Sequence, residues 1–153
     1  MLNLAYCVIN TGVLELRWLH LLANCYSMFI QLLQYNDVGL FLLRSAITVI
    51  FIYHGMPKIL KPQGMAQGMG VSPSVVILLG LVEVVSAVGL ILGIYTQFFA
   101  LLLAMVMVGA MKMKSINWGV PFSAMDKTGW EFDFILFISC VVLLLGGGGT
   151  IVL

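Results

Sequence analysis

Residues 51–60 read FIYHGMPKIL, an apolar run that ends in Tyr53, His54, Gly55, Pro57 and Lys58. His54 and Lys58 are four positions apart and so share one face of a helix; Arg44, Phe51 and Lys58 recur at sevens along nearly the same stripe. A further ionisable group, Glu83, stands in the middle of the apolar stretch GLVEVVSAVGL. A carboxylate in such surroundings must be protonated, paired or functional. Imidazole, ammonium and carboxylate gathered at one place can hydrogen-bond to a ligand oxygen or exchange a proton with it. His54 and Glu83 are therefore the candidate proton-transferring pair, with Lys58 and Arg44 as electrostatic support. A plainer reading makes His54 a hydrogen-bonded structural residue and pairs Arg44 with Glu83.

The elements that must position these groups follow from composition. The chain has 153 residues, of which 62% are hydrophobic and 8% charged, and its mean hydropathy is +1.14. A soluble domain carries about a quarter charged residues, so this is an integral membrane protein in contact with the lipid bilayer. Net charge is +1, and its seven Lys and Arg form no basic stripe, which excludes nucleic acid as a partner. Cys7, Cys25 and Cys140 are far apart and make no CxxC, so neither a metal site nor a self-contained dithiol centre is written here. The N-terminus has no basic leader before its apolar stretch and does not read as a cleaved signal.

A helix needs about 20 mainly apolar residues to cross the hydrocarbon core. Four segments qualify: 38–60, 74–93, 96–113 and 129–145. The second opens after Pro73, and the link around Gly93, Ile94 and Tyr95 is so short that the second and third must be antiparallel. The run Gly146 to Gly149 reads as a flexible terminator. Residues 1–33 are apolar but carry Glu15 and Arg17, consistent with either an interfacial helix or a fifth span. The expected fold is all-α: an integral membrane four-helix bundle over 37–153, with an extra N-terminal hydrophobic or interfacial helix in 1–36.

Four spans put residues 61–73 and 114–128 on one side of the membrane. Glu83 then lies about nine residues from the start of its helix, roughly 13 Å deep, and His54 about six residues from the end of its own, roughly 9 Å deep on the same side. The two are expected to meet. Lys112, Lys114, Asn117, Trp118, Trp130, Glu131 and Asp133 gather at the same mouth. The resulting expectation is a bundle interior lined by Glu83, His54, Lys58 and Glu131, with Tyr53, Trp118 and Trp130 around it, suited to a small polar-headed ligand or a quinone ring. The alternative treats Lys112, Lys114, Glu131 and Asp133 as helix-end charges at the water line, Lys58 and Lys61 as snorkelling cations, and Trp130 as an interfacial anchor. Met105, Met107, Met111 and Met113 do not share one helical face and read as packing rather than a metal path. Gly80, Gly89 and Gly93 are small surfaces for close helix contact.

The order of these pieces resembles the DoxX family of small four-span membrane proteins. An arginine stands early in the first span (LLRSAITVIF), followed by FIYHGMPKIL, an intramembrane glutamate in GLVEVVSAVGLILGIYTQFFALLLAMVM, and GWEFDFILF opening the last span. The resemblance covers residues 37–146 and carries over Arg44, His54, Gly55, Lys58, Glu83, Trp130 and Glu131. Two departures stand out: Gln97 occupies the turn position where many members have a basic residue, and residues 1–36 exceed the usual leader. The lysine count would make the His-Lys-Glu side cytoplasmic, whereas the resemblance implies that it lies outside.

The resemblance also implies a multi-pass protein of a bacterial or archaeal cytoplasmic membrane. Members include the membrane subunit of a thiosulfate:quinone oxidoreductase and components linked to redox-stress complexes, while eukaryotic relatives act as cargo receptors, so the fold does not fix the job. The expected function is an accessory or quinone-interacting subunit of a membrane redox system, with no intrinsic cofactor and its redox centre on a partner. The sequence has no paired-cysteine motif, no obvious pair of haem-ligating histidines and no flavin-binding glycine loop. The rival is a non-catalytic structural or assembly subunit of a larger membrane complex. A carrier is disfavoured because four spans without an inverted repeat would require oligomerisation.

Overall fold

Proline and glycine punctuate the chain into helices of nearly the expected bounds. A computed structural model describes residues 33–123 and 128–153, with Leu22, Ser27, Ile30 and Gln31 as isolated positions. The chain divides into two units, Met1–Asn36 and Asp37–Leu153. The alternatives for residues 1–33, interfacial helix or span, fall almost wholly outside the described residues.

Helix α1 spans Asn36–Leu60, with Asp37 in its first turn and Lys58 in its last, each at the dipole end that favours its charge. A short helix, α2, spans Pro62–Met69 and ends at Gly70, whose φ of 67° is the left-handed conformation that glycine adopts without cost. Helix α3, Pro73–Leu92, starts on Pro73 and ends at Gly93. There Gly93 N–H bonds Leu90 O at 3.1 Å and Ile94 N–H bonds Gly89 O at 3.2 Å, closing the helix so that α4, Thr96–Lys112, starts three residues later. A π-turn, Met113–Asn117, extends α4 until Trp118 N–H bonds Met113 O at 3.0 Å. Helix α5 spans Glu131–Gly146. Among the described residues every regular element is helical.

Polarity is arranged inside out. The buried residues pair an apolar core (Ile47, Phe51, Leu90, Leu103, Leu136, Leu143) with Arg44, Thr48, Glu83, Ser86, Thr96 and Asp133, whereas Leu42, Val49, Leu81, Val85, Leu101, Val108, Ile135 and Val142 face outward. Helices with apolar outer faces and polar inner groups suit lipid, where backbone bonds close within each helix and side-chain polarity must find its own partners. Among the described residues, three helical stretches are long and apolar enough to cross a membrane: Asn36–Leu60, Pro73–Leu92 and Thr96–Asn117. Helix α5 has 16 residues, or about 24 Å, short of a hydrocarbon core of about 30 Å. Glu131 and Asp133 at its start and Gly147 at its end limit it.

The C-terminal glycines do not form a loose end. Gly147 caps α5 through its N–H to Leu143 O at 2.9 Å. The segment then returns to the α3–α4 turn: Arg44 Nη1 donates to Gly148 O at 2.8 Å and Nη2 to Ile151 O at 2.6 Å. Thr150 Oγ1 donates to Asp37, and Leu153 N–H bonds Leu92 O at 3.3 Å. This overturns both the flexible terminator and the pairing of Arg44 with Glu83. Arg44, in the third turn of α1, is ten residues or about 15 Å along the helix from His54, and its fork meets free carbonyls in place of the distant Glu83 carboxylate.

Candidate functional site

The site is built on the seam between α1 and α3. Thr48 Oγ1 donates to Ala87 O at 3.0 Å, and about two turns further along α1 two glycines, Gly55 and Gly80, face each other. A Cβ at Gly80 would lie 2.8 Å from Gly55 O and 2.8 Å from Lys58 Cβ, and one at Gly55 would lie 2.9 Å from Val84 Cγ2. Only glycine at both positions allows this approach. Helical side chains lean toward the N-terminus, so Lys58 leans into the membrane and forms an ion pair with Glu83 instead of snorkelling outward. Glu83 is 1% exposed and Lys58 13%. Glu83 Oε1 takes the ammonium; Oε2 is buried and, among the described residues, has no hydrogen-bond partner.

Gly80→Ala is expected to destabilise the bundle by about 1–3 kcal/mol, because the new methyl meets backbone that cannot yield. Gly55→Ala, whose new methyl meets Val84 Cγ2 at 2.9 Å but backbone, Gly80 O, only at 3.2 Å, is expected to cost less. Unfolding of the detergent-solubilised protein gives the ranking; equal losses would contradict the packing assigned to Gly80.

The ion pair opens onto a cavity of about 900 Å³, near the upper end of the usual range for ligand pockets, about 300–1,000 Å³. Its walls are mostly apolar and include Phe51, Met65, Leu78, Val82, Met105 and Phe132. Polar groups cluster at the end marked by α2 and the π-turn. There Lys114 Nζ lies 2.7 Å from Asp133 Oδ2, and Trp118 Nε1 donates to Gly68 O at 3.0 Å, tying the loop after the π-turn to α2. His54 lines the cavity from an exposed position, its ring centroid 6.1 Å from that of Phe132. Among the described residues no group of three or more His, Cys, Asp or Glu side chains is arranged to hold a metal.

The family model DoxX matches residues 39–116, half of the chain and the segment that carries Arg44, His54, Lys58 and Glu83. The chain belongs to the DoxX family. A relative from Bacillus subtilis (strain 168), named "Putative oxidoreductase CatD", is 25% identical over 114 residues, which cover 72% of this chain and 81% of the relative. No solved structure matches.

Within this DoxX bundle the expected residues separate into two groups. His54, Lys58, Glu83 and Trp118 line one cavity. His54 and Glu83 share it without bonding each other, the carboxylate being held by Lys58. Gly55 acts below the cavity, through packing. Tyr53, 76% exposed, is turned outward with its ring against His54. Trp130 packs on Phe122 with ring centroids 4.6 Å apart, and Glu131 accepts a hydrogen bond from Ser123 Oγ at 3.1 Å. These three lie outside the cavity lining, and Arg44 is at the other end.

Asp133 and Lys114, read from sequence as helix-end charges at the water line, are a pair that lines the cavity. The signal was available: Asp133, Leu136, Cys140 and Leu143 repeat at helical spacing and are all buried. Glu131, two positions before Asp133, projects about 200° away. Met65, Met69 and Thr128 also line the cavity, without a chemical signature that would have marked them.

Proposed function

We propose that this DoxX protein holds a quinone in the cavity beside Lys58 and Glu83, as a subunit of a redox system in a bacterial or archaeal cytoplasmic membrane whose electron-carrying centre is on a partner protein. The observation that carries this reading is the buried Lys58–Glu83 ion pair in the wall of an otherwise apolar cavity. Glu83 Oε2, which has no hydrogen-bond partner among the described residues, would accept from a ligand hydroxyl once the carboxylate turns toward the cavity. The Lys58 ammonium beside it has donors for a ligand carbonyl. The apolar walls suit a ring and hydrocarbon substituents, so the residues present fit a quinone. When bound, the quinone supplies two-electron, two-proton chemistry. His54, at the exposed rim, is placed to pass protons between the cavity and the aqueous end.

The name of the Bacillus subtilis relative supports a redox assignment by similarity. Protein purified in mild detergent and extracted for lipid analysis is expected to carry quinone at near-stoichiometric level. Glu83→Gln and His54→Phe are expected to lose it while remaining folded. Stoichiometric co-purifying proteins with no quinone would support a scaffold role, and undiminished retention in both variants would remove the site.

A further inference from the structure

The cavity has an opening toward lipid as well as a polar end. Several lining residues are also outer-surface residues: Val75 and Leu78 on α3, and Met105 and Gly109 on α4. Leu78 is 62% exposed and Met105 54%. Among the described residues a Cβ at Gly109 would meet no atom within 4 Å, so α3 is not packed against α4 there. Closer to the turn the same two helices are tight, with the Phe99 ring pressed on Gly89. Counting outward from that contact, Leu78 and Gly109 are within about one residue of the same level. Both lie inside stretches long and apolar enough to span, Pro73–Leu92 and Thr96–Asn117. Leu78 is about 7–8 Å from the start of α3, within the hydrocarbon rather than at the water line.

We propose that the slot between α3 and α4 at Leu78, Met105 and Gly109 is a lateral passage through which the hydrocarbon tail of the bound quinone runs out into the bilayer. Gly109 is then a specificity-determining residue, kept without a side chain so that the tail can pass. The inference rests on the quinone reading and adds to it that the ligand is long-chained and reaches the site from lipid. The apolar side chains of Val75, Leu78 and Met105 around the slot contribute affinity in proportion to the methylene groups they cover.

Two probes separate the passage from the head site: a tail-less methyl naphthoquinone, and the same ring bearing a long isoprenoid chain. Their equilibrium binding to purified protein in detergent is compared for wild type, Gly109→Phe and Leu78→Trp. Phenylalanine fills open space at position 109 and replaces a weaker helix former, so the fold should hold. Both variants are expected to weaken binding of the long-chain probe on the order of tenfold more than that of the tail-less probe, about 1.4 kcal/mol. Binding of the tail-less probe also reports that each variant is folded. Unchanged long-chain binding, or equal loss of both probes in both variants, would overturn the passage while leaving the head site standing. Failure of wild type to bind either probe would remove the quinone reading and the passage together.

Discussion

Lys58→Met is expected to destabilise the bundle by about 3–5 kcal/mol, and the double variant Lys58→Met with Glu83→Leu to recover most of that loss. Glu83 is 1% exposed, and its Oε1 has Lys58 as its hydrogen-bond partner. Removing the ammonium leaves a carboxylate in a low-dielectric interior, which must remain there uncompensated or take up a proton. Removing both charges leaves an apolar seam over Gly55 and Gly80. The ligand site responds differently, since the single and the double variant both lack the donor that faces the cavity. Quinone retention is therefore expected to be lost in both, although only one is unstable. Unfolding in detergent and quinone content measured on the same preparations separate the two effects. Equal stability of single and double variants would mean that the ion pair does not hold the seam.

Arg44→Met is expected to cost about 3–5 kcal/mol by a different route, freeing the C-terminal segment while leaving quinone binding intact. The Arg44 guanidinium is fully buried and donates to two backbone carbonyls, those of Gly148 and Ile151. Hydrogen bonds from a charged donor contribute about 1.5–3 kcal/mol each, and both are lost in the variant. Arg44→Lys keeps the charge but not the planar fork and is expected to fall between Met and wild type. Amide exchange over residues 147–153 should rise sharply in Arg44→Met and modestly in Arg44→Lys. Loss of quinone together with the segment would instead return Arg44 to the supporting role that the sequence reading gave it.

The contrast between these residues shows what the sequence could and could not convey. Helix bounds were legible because Pro73, Gly93 and the acidic start of α5 are local signals, readable without tertiary knowledge. The gathering of His54, Lys58 and Glu83 was legible from the cost of stranding each in lipid. The partner of Arg44 was not, because it is backbone, and a carbonyl carries no mark in the sequence. Helix α2 was missed because its eight residues, PQGMAQGM, hold two glycines and no sustained apolar period. Tyr53 was assigned from its place beside His54, and Glu131 from its place at the start of the last helix and from the family resemblance. Neighbouring positions on a helix point in different directions, and Phe51 and Asp133 occupy the inward ones.

Photolabelling tests the central claim directly. Protein in bilayer nanodiscs, exposed to a quinone bearing an azido group on its ring and mapped by peptide mass spectrometry, should be labelled at cavity-lining positions near Glu83, such as Phe51, Val82 and Phe132. Excess unlabelled quinone should suppress that labelling. Labels confined to outward-facing positions such as Val49, Val85 and Ile135, undiminished by competitor, would show that the quinone meets this protein only as bulk lipid does.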